Sequence, residues 1–184
     1  MSVNTKNIII FSLVLLSIVF WGVILYFFKP QEIIKNIGVT NSYIFIFLMA
    51  TFSGVSSFTS TSHYATVFTF AAGGLNPFLI SIFAGIGMTI GDSVFYYLGK
   101  RGAQSLPESV ERKFQSIKCW IEKKSKKLLP AIVYMYTGFT PLPGDFLSIF
   151  LGITSVKYKT IIVPIILGNM TLMLWISFFA QAMN

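Results

Sequence analysis

A single cysteine, Cys119, and a single histidine, His63, stand in a chain of 184 residues. One cysteine excludes a disulfide framework. The two together exclude any metal site built on two or more Cys or His ligands, and neither a metal nor a cofactor is expected. Charge is scarce as well: six acids and fourteen bases make up only 11% of the chain, while 54% is hydrophobic and 16% aromatic. A soluble domain carries about 25% charged residues, and so few charges cannot cover a water-exposed surface of this size. The solvent for most of the chain is therefore lipid. The net charge of +8 does not point to nucleic acid, because the bases cluster between long apolar runs, where anionic headgroups are the counter-charge.

The apolar runs divide the chain. Residues 8–28 carry no charge and, at about 1.5 Å per residue, just cross a hydrocarbon core of roughly 30 Å. Trp21, Tyr26 and Lys29-Pro30 follow in place of a small-residue cleavage site, so this run reads as a first span, not a signal peptide. Asn36 to Gly91 contains no Lys, Arg, Asp or Glu. It divides at the turn cluster Gly73-Gly74-Leu75-Asn76-Pro77, and 77–98 reads as a second span with Pro at its start and Gly99 just past its end. Residues 41–75 are too long for one crossing and too short for two, with serines and threonines around Gly54. They read as a re-entrant hairpin whose tip offers Thr59, Ser60 and His63.

Residues 99–127 hold nine bases and three acids, which the positive-inside rule places in the cytoplasm. Val110, Phe114, Ile117 and Ile121 recur at helical spacing, predicting a basic amphipathic helix on the inner leaflet. Residues 128–156 are apolar apart from Asp145 and are broken at Pro141, Pro143 and Gly144, where a straight helix cannot continue. This segment reads as a second re-entrant hairpin, with a full span as the alternative. A last span covers 161–183. With both hairpins returning to the side they entered, twelve bases lie inside and two, Lys29 and Lys35, outside. The halves are alike: Gly74 leads to Gly91-Asp92 as Gly152 leads to Gly168-Asn169. The expected fold is an all-α polytopic membrane protein, with transmembrane helices and two re-entrant helical hairpins in an inverted repeat.

The run Gly91-Asp92, Tyr96, Gly99-Lys100-Arg101-Gly102, followed by Gly138-Phe139-Thr140-Pro141 and Gly152, resembles the DedA family, also called SNARE-associated or VTT-domain membrane proteins. The resemblance covers roughly residues 53–178. It implies two facing re-entrant hairpins in a bacterial plasma membrane and movement of lipid between leaflets. Undecaprenyl phosphate is the proposed bacterial cargo, and phospholipids the eukaryotic one. Two departures stand out. The first hairpin has hydroxyls where bacterial members carry an acid and prolines, and Gly138 and Gly144 stand where they carry two arginines.

Two carboxylates are candidates for function. Asp145 lies inside an apolar segment, where a charge costs at least about 2.5–3.5 kcal/mol and so faces a cavity or partner, or caps the helix entered at Pro143. Asp92 stands about five residues from the end of its span, within reach of interfacial water or of Lys100 and Arg101. His63 is either a proton relay or a packing histidine. Gly54-Val55-Ser56-Ser57 near His63 does not make a hydrolase, since no base–nucleophile contact or oxyanion donor follows from it, and an enzyme is not expected. The expected activity is translocation of a phosphorylated lipid. The candidate transport residues are Asp145, Pro141, Pro143, Gly144, Asp92, Thr59, Ser60, His63, Tyr96 and Arg101. The alternatives are a small-solute or ion transporter or channel using the same cavity, and a scaffold binding a partner through the basic helix. Membrane lipids are the expected partners, nucleic acid is not, and a homo-oligomer stays open.

Overall fold

The turn cluster at residues 73–77 dictates its own geometry. Gly74 takes a left-handed backbone (φ +95°) that closes one helix: its N–H donates to Ala71 O and the Leu75 N–H to Phe70 O. Two residues later the Asn76 side chain accepts from the N–H groups of Phe78 and Leu79 and, with Pro77 in the first turn, opens the next. A second turn repeats the device without glycine. Ser155 (φ 54°) donates its N–H to Gly152 O, Val156 to Leu151 O, and the following helix starts at Tyr158.

These turns sit within a computed structural model that describes residues 30–53, 57–103, 128–140 and 144–183, with the backbone alone at 30, 31, 33 and 57–61. Every regular element among them is a helix: α1 (Pro30–Ile37), α2 (Val39–Ser53), α3 (Ser57–Ala72), α4 (Pro77–Gly102), α5 (Leu129–Phe139), α6 (Gly144–Ile153) and α7 (Tyr158–Ala182). The first span at 8–28, the amphipathic helix within 99–127, and Pro141 and Pro143 lie outside the described residues. Among those described, α4 and α7 are long and apolar enough to cross a membrane. The remaining apolar helices are half-length. α2, with 15 residues, reaches only about 22 Å, and α6, with 10, about 15 Å.

The long helices run in opposite directions. α4 starts at the Gly74 turn and lays Tyr96 on the other one, its hydroxyl donating to Val156 O at 2.6 Å. α7 starts at the Ser155 turn, and its Gln181 donates to Leu75 O at 3.0 Å. The two turns therefore lie at opposite ends of the bundle, each closed by a side chain from the far end of the other's helix. α2 begins near the first turn, where Tyr43 Oη accepts from Asn76 N at 3.1 Å, and α3 ends in that turn. α5 begins near the second, with Leu129 packed among Tyr96, Leu151 and Ile161, and α6 ends there. α2 and α5 each pack on the long helix of their own half, α3 on α7 and α6 on α4.

Glycines set the close approaches. A Cβ on Gly87 would meet Ala50 Cβ at 2.7 Å, and one on Gly168 would collide with Thr137. Each of these glycines stands thirteen residues past the left-handed residue of its turn, Gly74 or Ser155. The left-handed residue of the second turn is thus Ser155 and not Gly152, from which the spacing in the sequence was counted. Gly99 is also inside its helix, which runs on to Gly102, and its Cα faces the Ile149 backbone of α6. The last helix, α7, begins before the span read at 161–183 and includes Lys159.

The outward stripe Phe78, Ile82, Ile86, Ile90, Val94 and Tyr97 along α4 is exposed, as are Val163, Leu167, Trp175 and Phe179 on α7. Apolar stripes of this length on both long helices are surfaces for lipid tails.

Candidate functional site

The interior is apolar at the first-turn end, around Ile46, Ala50, Val67, Ile80 and Met173, and again at the second-turn end around Tyr96, Leu151 and Ile161. Between these two clusters lies a polar centre. Asp92, 3% exposed, accepts from Asn169 Nδ2 at 2.8 Å, and the same amide donates to Thr89 Oγ1 at 3.2 Å. Ser148 of α6 brings a hydroxyl to the same Asp92 carboxyl group. Thr89 Oγ1 in turn donates to Gly85 O at 2.8 Å, so donors and acceptors form a chain.

Asp145 is buried in the first turn of α6, close enough to Asp92 for the two carboxyl groups to interact electrostatically. Gly144 explains how α6 begins there. A Cβ on it would stand 2.7 Å from Asp92 Oδ1, so a residue without a side chain is needed for the helix start to approach α4. Two tyrosines complete the surroundings. Tyr64 of α3 lies within electrostatic range of both acids and Tyr136 of α5 within range of Asp145. Helices α4, α6 and α7 therefore meet at one buried place, with the half-buried tyrosines of α3 and α5 in its neighbourhood.

Of the residues singled out from the sequence, the structure brings Asp92, Asp145 and Gly144 together. Asp92 is not near the end of its span: ten residues of α4 follow it, about 15 Å, and it is held by an amide and hydroxyls while Lys100 and Arg101 are exposed at the helix end. Tyr96 is set apart, closing the second turn, with Arg101 beyond it. His63 is fully buried, and among the described residues neither ring nitrogen has a hydrogen-bond partner; its ring lies 5.9 Å from that of Tyr64. The backbone of Thr59 and Ser60 belongs to α3, while their side chains, like Pro141 and Pro143, lie outside the described residues. Asn169, Thr89, Ser148, Tyr64 and Tyr136 were not foreseen. Asn169 carried a signal, as a carboxamide in an otherwise apolar span, which lipid tolerates only with a partner.

Antiparallel apolar helices with exposed apolar stripes around a buried polar centre point to a membrane protein of the helical-bundle class. The VTT domain family matches residues 63–182, well over half of the chain. The chain belongs to that family, the DedA or SNARE-associated membrane proteins. No curated protein and no solved structure matches it.

Proposed function

We propose that the protein moves a lipid with a phosphorylated headgroup, such as undecaprenyl phosphate or a phospholipid, between leaflets without chemical change to it. The observation that carries this reading is the polar centre midway along two antiparallel helices, with a half-length helix pair reaching toward it from each end. In this reading each pair is a re-entrant hairpin and the halves form an inverted repeat, which the two opposed turns support. Such repeats place transport sites near the midplane. The return helices α3 and α6 both begin part-way through the bundle, so their N-terminal N–H groups are donors for an anion at the centre. The basic central segment is cytoplasmic in this reading, at the end of the bundle that carries Lys100, Arg101 and Lys157, and its lysines attract anionic headgroups.

Two carboxyl groups beside an anionic headgroup repel it when ionised, so passage requires that Asp145 take up a proton or that a cation bridge them. Asp145→Asn keeps the size and one acceptor but cannot ionise. In liposomes with a pH gradient it should abolish gradient-driven accumulation of fluorescent phospholipid and of undecaprenyl phosphate, leaving downhill exchange measurable. Full activity with an unchanged pH profile would remove Asp145 as the coupling group. Uptake of small solutes or ions by the same liposomes, with no lipid movement, would instead favour a solute pathway.

A further inference from the structure

A second polar site lies apart from the buried centre, at the end of the bundle where α4 finishes and α7 begins. There a cavity of about 320 Å³ is walled by Lys100, Lys157, Lys159, Tyr97, Tyr158 and Ser155. That volume is at the lower end of small-molecule sites, about 300–1,000 Å³. Three lysines line it, Lys100 from α4, Lys157 from the turn and Lys159 from α7, and no carboxylate among the described residues does. Like charges gathered in this way repel one another unless an anion sits between them. The tyrosines hold one another: Tyr158 Oη and Ser93 Oγ are 2.6 Å apart, and the Tyr158 ring packs at a tilt against Tyr96 and Tyr97 at 5.2 and 5.4 Å between centroids. The cavity thus has amphipathic tyrosine walls and exposed cationic arms. Tyrosines and lysines at the end of membrane-spanning helices mark the headgroup level of a bilayer, where lipid phosphates are concentrated.

We infer that this cavity is an interfacial binding site for a phosphate group, held by Lys100, Lys157 and Lys159 against the Tyr97 and Tyr158 rings. The phosphate belongs either to an anionic lipid headgroup or to free inorganic phosphate. The inference does not depend on transport: a protein that moves nothing would still bind here, and binding is measured separately from translocation.

The test uses the full-length chain in detergent micelles, titrated in parallel with phosphatidic acid, read by native mass spectrometry, and with inorganic phosphate, read by calorimetry. A lysine near the membrane surface contributes about a fivefold factor, so each Lys→Gln should weaken binding by about that much and the triple Lys100→Gln, Lys157→Gln, Lys159→Gln by about a hundredfold. Lys157→Arg keeps the charge and should keep the affinity. Lys35→Gln removes a charge at the opposite end of the bundle and should leave this binding within twofold. Saturable binding of phosphatidic acid alone assigns the site to lipid, and saturable binding of inorganic phosphate assigns it to the free anion. A loss in Lys35→Gln equal to that of each single site variant, or no saturable binding of either probe, would overturn the inference.

Discussion

Asn169 and Asp92 are 77 positions apart in sequence and 2.8 Å apart in the fold, and their pairing gives the bundle a polar centre at low cost. A buried carboxamide without a partner costs about 1–3 kcal/mol, and membrane interiors lower the net worth of such bonds to about 1. Asp92→Leu and Asn169→Leu should each destabilise the protein by about 1 kcal/mol, and the double variant by less than their sum, with a coupling of about 0.5–2 kcal/mol. Unfolding in mixed micelles measures this cycle, and additive losses would show that the pair does not act as a unit. His63 poses the opposite case. Its two ring nitrogens are buried without partners among the described residues, and an apolar side chain of similar size relieves that penalty. His63→Leu should therefore raise the unfolding midpoint by a few degrees, corresponding to about 1 kcal/mol. A lowered midpoint would mean that the imidazole is satisfied by a group that leucine abandons.

Among the elements, the half-length helices carry the reading of two hairpins. α5, with 11 residues, is about 16 Å long and ends at Phe139, and α6, with 10, starts at Gly144, so neither alone is long enough to cross a hydrocarbon core of roughly 30 Å. Pro141, Pro143 and Gly144 are the residues that forbid a continuous helix between them: in a helix interior Pro costs about 3 kcal/mol and Gly about 1 relative to Ala. Replacing all three by Ala should fuse α5 and α6 into one helix, carry Asp145 away from Asp92, and abolish lipid movement while leaving insertion intact. Gly144→Ala alone should already weaken the site, because its Cβ would press on Asp92 Oδ1 at 2.7 Å. Lipid flux in the reconstituted triple variant decides the matter, and undiminished flux would place the pathway elsewhere.

For the whole molecule, the arrangement fixes which ends face the same side. Lys35 lies in α1, beside Ile34, which packs with Tyr43 and Leu75 at the first-turn end, whereas Lys157 caps α7 at the second. With Cys119 replaced by Ser, a single cysteine at 157 should react with an impermeant maleimide only from the cytoplasm, and one at 35 only from outside. Labelling of both from one side would contradict the opposed ends. The lipid-type assignment and the interfacial phosphate site are separable at this scale, since one is read as flux and the other as affinity.

Runs of neighbouring residues were enough to point to lipid as the solvent and to helices interrupted at Gly-Gly-Leu-Asn-Pro and at Pro-Leu-Pro-Gly, while the resemblance to the family rested on spaced residues, Gly91-Asp92, Tyr96 and Gly99-Lys100-Arg101-Gly102. Asp145 was legible too, as a charge alone in an apolar segment. The surroundings of Asp92 were not. In water, the polar face of a helix separates inside from outside by its periodicity; in lipid both faces are apolar, and the pattern along α4 gives no sign of which face meets α6 and α7. The left-handed Ser155 is equally silent in sequence, since nothing but the closing hydrogen bonds distinguishes it from an ordinary serine. Burial of Asp92 against Asn169, Thr89 and Ser148 was decided by packing: Gly85 against the Met170 backbone and Gly144 against Asp92 let α7 and α6 approach α4 closely enough for short polar side chains to meet.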